Sequence, residues 1–284
     1  MSRVQTSQPL TGAGWTELRP ARGWRSQLDV GEIWQYRELA LFLALRDLRL
    51  RYRQTVFGVA WAVLQPLLAV AIFTLVFSRV DTLHTSGIPY VVFAYAGIVI
   101  WSYVSTSVDA AARSLIEDRS LVERVYFPRL LAPFAAVLPG LLDLAISLLV
   151  LAVFMAIFAV RVPLTALLLP AWVLAAMLVA LGAGFWLSAL NVQYRDVRYA
   201  LTFGLQAWFF ATPVAYPSSL VHGGWRWLYA ANPLVGVIDG FRWAVLGAPP
   251  PPVADLVSAA TGLALIVTGT MYFHAVQRRF ADVI

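Results

Sequence analysis

Hydrophobic and polar positions along this chain fall into long blocks rather than short alternations. Six blocks stay apolar for about 20 residues, the length an α-helix needs to cross the roughly 30 Å hydrocarbon core of a bilayer. They are residues 57–77, 91–112, 130–160, 165–190, 199–216 and 253–273. Pro133 and Pro139 interrupt the third block and move the start of its core toward Val137, while Pro213 falls inside the fifth. Ahead of the first block, residues 31–54 repeat with a helical period. At 100° per residue Trp34, Leu41, Leu45, Leu48 and Tyr52 share one stripe, and Arg46, Arg49 and Arg53 share another face. This pattern predicts a helix lying in the headgroup region with its Arg side chains snorkelling to lipid. Such a helix serves as a surface anchor, as a docking element for a cytoplasmic partner, or as both.

The polar intervals orient the blocks. Nine Arg precede the first block, four lie between the second and third, two between the fourth and fifth, and two follow the sixth. The opposite side holds four: Arg79, Arg161, Arg226 and Arg242. The positive-inside rule then places both termini in the cytoplasm, which an even number of crossings requires. The apolar run starts well inside the chain after a long polar segment, so the first span is expected to stay uncleaved. The expected fold is an all-α integral membrane protein of six transmembrane helices. Residues 1–30 form an N-terminal segment, 31–56 the interfacial helix, 57–277 the transmembrane domain and 278–284 a tail.

Two connections carry more than topology. Residues 113–129 are strongly charged, with Leu115, Leu121, Val122, Val125 and Tyr126 interspersed and Pro128 near the end. Within them, a short amphipathic helix over about 114–125 can press into a groove of a soluble subunit; the plainer reading is a solvated loop. The external connection, 217–252, opens with Trp225, Trp227 and Tyr229, an aromatic cluster suited to a headgroup interface. After Asn232-Pro233 comes an apolar run over 234–246, too short to cross, which reads as re-entrant or interfacial. Asp239 and Arg242 stand three apart there and are expected to pair on one helical face. The proline run 249–252 is a stiff spacer into the last span.

Composition narrows the chemistry. The chain has 284 residues, 60% of them hydrophobic and 13% charged, and a mean hydropathy of +0.73. A soluble domain carries about 25% charge. All 21 basic residues are Arg, so there is no phosphate-loop lysine and no nucleotide hydrolysis is expected in this chain. The absence of Cys excludes disulfides and thiolate sites. His84, His222 and His274 are scattered and suggest neither a metal centre nor a Ser-His-Asp arrangement. The net charge of +6 follows the topology rather than a nucleic-acid face. Asp109 is expected to pair with Arg113, four residues on. Asp143, inside the third block, must face protein or water, as a structural partner or as a pathway residue. Trp101, Tyr103, Trp208, Phe209 and Phe210 fall mid-block, away from the interfaces where belt aromatics belong. Aromatic faces pack on apolar faces of sugar rings as well as on other helices, so a glycan conduit and plain helix packing both account for them.

Several stretches carry a resemblance: RYRQTVFGVAWAVLQP over 51–66, VYFPRLLAP over 125–133, NVQYRDVR over 191–198 and NPLVGVIDGFRWAVLG over 232–247. Together they resemble the permease subunits of bacterial polysaccharide-exporting ABC transporters, of the O-antigen, capsule and teichoic-acid type, over about residues 30–275. The resemblance implies a homodimer in the bacterial inner membrane with two copies of a separate ATPase subunit, which holds the ATP and Mg; this chain needs no cofactor. It implies a lipid-linked glycan as cargo. It assigns ATPase contact to the interfacial helix and the second connection, here Arg46, Arg49, Arg53, Leu115, Leu121, Val122 and Val125. Channel or glycan contact falls to Trp101, Tyr103, Trp208, Phe209, Phe210 and Tyr216, and an external gate to Trp225, Trp227, Asp239 and Arg242.

Other classes stay open. A permease exporting a small hydrophobic molecule or drug shares much of this topology. A membrane enzyme acting on lipid-linked sugars calls for acidic pairs with a metal or base, which the sequence does not offer. A proton-coupled transporter calls for more than Asp109 and Asp143 inside the bilayer.

Overall fold

Inside a bilayer the backbone has no water to bond, and a helix satisfies its own N–H and C=O groups within one segment. The computed structural model describes residues 35–52, 60–77, 85–118, 127–194 and 196–277, and among them there is no strand. The α-helices run in chain order as α1 Arg37–Tyr52, α2 Ala60–Phe77, α3 Tyr90–Glu117, α4 Leu131–Val137, α5 Gly140–Ile157, α6 Leu169–Gln193, α7 Val197–Phe210, α8 Trp225–Ala230, α9 Pro233–Leu246 and α10 Asp255–Val276. Among the described residues, four units are long and apolar enough to cross a membrane: α3, α4 with α5, α6 with the 3-10 turn before it, and α10. Helix α2 holds a shorter apolar stretch, Val63–Val76.

The third expected span is a crossing-length unit interrupted at Pro139, which has no N–H to give, so α4 and α5 are separated there while Leu138 and Pro139 keep right-handed helical φ/ψ. The fifth does not run to residue 216. Pro213 ends it in the same way, and α7 stops at Phe210 after 14 residues.

Helix α3 is the axis of the molecule. Its apolar window is 78% buried, against 22–28% for the other three crossing units, so the others present most of their surface outward. It packs on α6, α4, α5 and α2, and α6 carries α10 on its other side. At that second contact Gly182 lets the helices meet at backbone distance: a Cβ there would lie 2.7 Å from the Ile266 nitrogen.

The short helix α9 is closed at both ends by its own sequence. Asn232 caps it, its side chain accepting from Leu234 N–H at 3.0 Å, and Pro233 sits where no N–H is needed. Gly247 stops it at φ +70°, a left-handed conformation cheap for glycine. Helix α9 packs on α10, α6 and α3.

The described part of the interfacial helix shows which of its faces meets the protein. Residues 31–34, including Trp34, and 53–54 lie outside the described residues. Ala40, Leu43 and Ala44 form the buried face of α1, against α4, while Leu41 and Leu45 are exposed. Leu41 and Leu45 thus point away from the protein, while Leu43 and the two alanines make the contact, and Leu48 and Tyr52 are half-buried.

Candidate functional site

The α9 end of the molecule is a polar network built in three steps. The chain turning out of α7 exposes the carbonyls of Pro213 and Val214, which have no helical partner. Arg242 reaches up from α9 to meet them, Nη1 donating to Pro213 O at 2.7 Å and Nη2 to Val214 O at 2.6 Å. Its Nε donates to Phe93 O at 3.2 Å, and its guanidinium carbon stands 3.6 Å from the Phe93 ring centroid. Arg242 is fully buried by this, and Gly97 makes the room, since a side chain there would collide with both Val214 O and Arg242 Nη2.

Asn232 is the second hub. It accepts from Trp208 Nε1 at 2.9 Å as well as from Leu234 N–H, and its Nδ2 donates to Ala211 O and Thr212 Oγ1. All four of its hydrogen-bonding capacities are thereby used. Ser258 on α10 lies 2.7 Å from Ala230 O and 2.8 Å from Asn232 O, and accepts from Gly236 N–H. The third hub is Arg226 on α8, which pairs with Asp255 at 2.7 Å and Asp239 at 3.3 Å and donates to Ser218 O. Tyr229 OH donates to Tyr216 OH at 3.0 Å, and burial raises the Tyr229 phenol well above its usual range.

The expected Asp239–Arg242 pair is therefore corrected. Both lie on α9, but Asp239 turns to Arg226 and Ser218 while Arg242 spends three N–H on backbone carbonyls. Spacing on one helix cannot anticipate partners on three other segments. Trp225 and Trp227 stand exposed beside this network.

The mid-block aromatics meet in one cluster. Trp101 is edge-on to Trp208 and Phe209, with centroids 5.9 and 5.5 Å away, and Phe209 stacks on Phe73 of α2 at 5.8 Å. Trp101 and Tyr103 are buried inside the chain. They are corrected as lining residues, because α3 is the central helix and turns them inward. Trp208 and Phe209 are half-buried, Tyr216 is bonded to Phe210 O, and Phe210 is 65% exposed. Around Phe210, α7 buries Leu201 alone among its residues, and Tyr199 and Phe203 stand open. Helix α2 likewise exposes Trp61, Leu68, Ile72 and Leu75.

At the α1 end, ion pairs tie α1 to the bundle. Arg46 bonds Asp47 at 2.7 Å and Asp118 at 2.6 Å, while burial pushes the Asp118 carboxyl up against the pull of Arg46. Arg51 and Tyr52 both reach Asp143, in the first turn of α5. This is the structural-partner reading of Asp143. Asp109 and Arg113 pair at 2.7 Å, as their spacing predicts.

Of the expected docking residues, Arg49 is exposed, and Arg53, Leu121, Val122 and Val125 lie outside the described residues. Leu115 is corrected: α3 runs on to Glu117, so Leu115 is a core residue of that helix with no exposed surface. Sequence reasoning also passed over Arg226, Asn232, Ser258 and Asp255. The available signals were an Arg between two Trp and an Asp opening an apolar span, both costly positions without partners.

A family model described as "ABC-2 type transporter" matches residues 38–246. The "O-antigen export system permease protein RfbA" of Myxococcus xanthus is 29% identical over 256 residues, 89% of this chain and 98% of that protein. A Klebsiella pneumoniae protein of the same name is 24% identical over 248 residues, 87% of this chain and 95% of its own. With that match and several apolar helices of crossing length, the chain is a multi-pass membrane protein and belongs to the ABC-2 type transporter family of membrane transport subunits.

Proposed function

We propose that this chain is the permease of an ATP-driven exporter carrying a lipid-linked polysaccharide of the O-antigen class across the bacterial inner membrane. The full-length similarity to two proteins named as O-antigen export permeases carries the cargo class. Energy comes from two copies of a separate ATPase subunit, bound at the cytoplasmic side by α1 and the segment after α3. In this reading both termini are cytoplasmic, the chain crosses six times, and α8 and α9 form the external end. Helix α7 is about 21 Å long at 1.5 Å per residue, and the segment from Ala211 to Pro217 completes its crossing.

The path lies between two copies. Its supporting observation is the unpacked face of α2 and α7, where Phe73 and Phe209 join the helices and Tyr199, Phe203 and Phe210 stand open. A face of that kind offers aromatic surface to sugar rings and apolar surface to the lipid carrier.

The test is depletion of the chain in its source bacterium, followed by fractionation and blotting of lipid-linked glycan. Export predicts glycan lost from the surface and accumulated on the cytoplasmic side. Normal surface glycan would transfer the proposal to a small hydrophobic cargo. Phe210→Ala is then expected to lower export at unchanged protein level.

A further inference from the structure

A groove of about 620 Å³ opens on the side of the molecule formed by α6, α9 and α10. Its floor is buried: Val179, Val237, Gly236 and Ser258. Its rim, with Leu178, Leu256 and Leu263, is exposed. This face is separate from the α2–α7 face. Along α10 the groove runs from Asp255 to Ile266, about 16 Å at 1.5 Å per residue. That matches the hydrocarbon depth of a single leaflet, half of roughly 30 Å.

The wall is apolar except at one end, where Asp255 sits. Its carboxyl is 96% buried by side-chain exposure of 4%, and Oδ1 accepts from Arg226. Oδ2 is also buried, and among the described residues nothing donates to it. Arg226 is divided between Asp255 and Asp239, so one guanidinium faces two carboxyl groups. Arg242 gives three of its N–H groups to backbone carbonyls. A buried carboxylate oxygen without a donor is costly, and a ligand that brings an N–H cation removes the cost.

We infer that this groove binds a phospholipid with a primary-amine headgroup, one acyl chain along α10 and the ammonium on Asp255 Oδ2. A primary ammonium has N–H donors; a quaternary choline has none, and an anionic glycerol headgroup meets like charge. The inference rests on the proposed orientation only for its leaflet, which is the external one.

The test uses the purified full-length chain and native mass spectrometry with phosphatidylethanolamine, phosphatidylglycerol and phosphatidylcholine of matched acyl chains. The native chain is expected to retain phosphatidylethanolamine about tenfold better than either other lipid. Asp255→Asn is expected to abolish that preference. Ala259→Trp fills the groove from its exposed edge and is expected to abolish retention. Equal retention of the three lipids by the native chain, an unchanged preference in Asp255→Asn, or unchanged retention in Ala259→Trp would overturn the inference. The leaflet is read separately. The chain has no cysteine, so a Ser219→Cys variant should react with an impermeant maleimide from outside intact cells. Labelling only after permeabilisation would overturn the orientation and leave the lipid site standing.

Discussion

The α9 end and the α2–α7 face of this chain behave as opposites. At the α9 end Arg242, Asn232 and Ser258 each bond several backbone groups, and α9 is buried along most of its length. On the α2–α7 face large aromatic and aliphatic side chains stand open, and a Cβ at Gly204 would meet nothing within 4 Å. The first region is finished within one chain. The second is shaped for contact with something else. In the exporter proposed above, one end is held together by its own bonds, and the surface offered to a second copy or to cargo is left free of internal commitments.

The largest expected effect tests how rigid the finished end is. Replacing Arg242 by Leu leaves the carbonyls of Pro213 and Val214 without donors, at about 1–3 kcal/mol each. Thermal unfolding of the purified variant in detergent should show a strongly lowered Tm or no recoverable folded protein. Arg242→Lys, which reaches fewer carbonyls, should fall between. An unchanged Tm in Arg242→Leu would mean that the network decorates this end rather than holding it.

The open face is tested next, by a change that the single chain cannot feel. Gly204→Leu meets no atom of its own chain and improves helix propensity by about 1 kcal/mol, so monomer stability should hold or rise. Self-association, read by light scattering after size exclusion, should weaken at least tenfold, or ~1.4 kcal/mol. Unaltered self-association would place the contact between copies elsewhere.

The same contrast governs what could be read from the chain. Elements whose pattern is local were legible: the apolar blocks, the Asp109–Arg113 pair, and α9 with its Asn-Pro start and Gly stop. The proline breaks were visible as residues, but their consequences depended on neighbouring helices. Least legible were the partners of Arg242 and Asp239. Spacing puts them on one turn, yet the demand of two orphan carbonyls 28 and 29 residues away outweighs a pairing three residues away. The aromatic cluster failed for a related reason. Trp101 and Tyr103 share their composition with Phe203 and Phe210, and only the central position of α3 turns the first pair inward. The stripe on α1 was legible as a lipid-side face, and Leu41 and Leu45 do stand open. The opposite contact of Ala40, Leu43 and Ala44 with α4 depends on a neighbour that the helical period does not reveal.

The smallest effect is expected outside both regions, where α1 meets α5. Arg51 and Asp143 are a third and a quarter exposed, at 36% and 23%, and an exposed ion pair contributes about 0–1 kcal/mol. Tyr52 holds the same carboxylate. Burial, and then that bond, push its phenol up to about 12, so it stays a protonated donor at any working pH. Arg51→Gln should therefore lower Tm only slightly, and less in high salt, where the native pair is already screened. Asp143→Asn removes the acceptor shared by both partners and should cost more. If Arg51→Gln proved as damaging as Asp143→Asn, the guanidinium rather than the phenol would be the link between α1 and the bundle. The α1 end would then belong with the rigid region, and the open surface would be confined to α2 and α7.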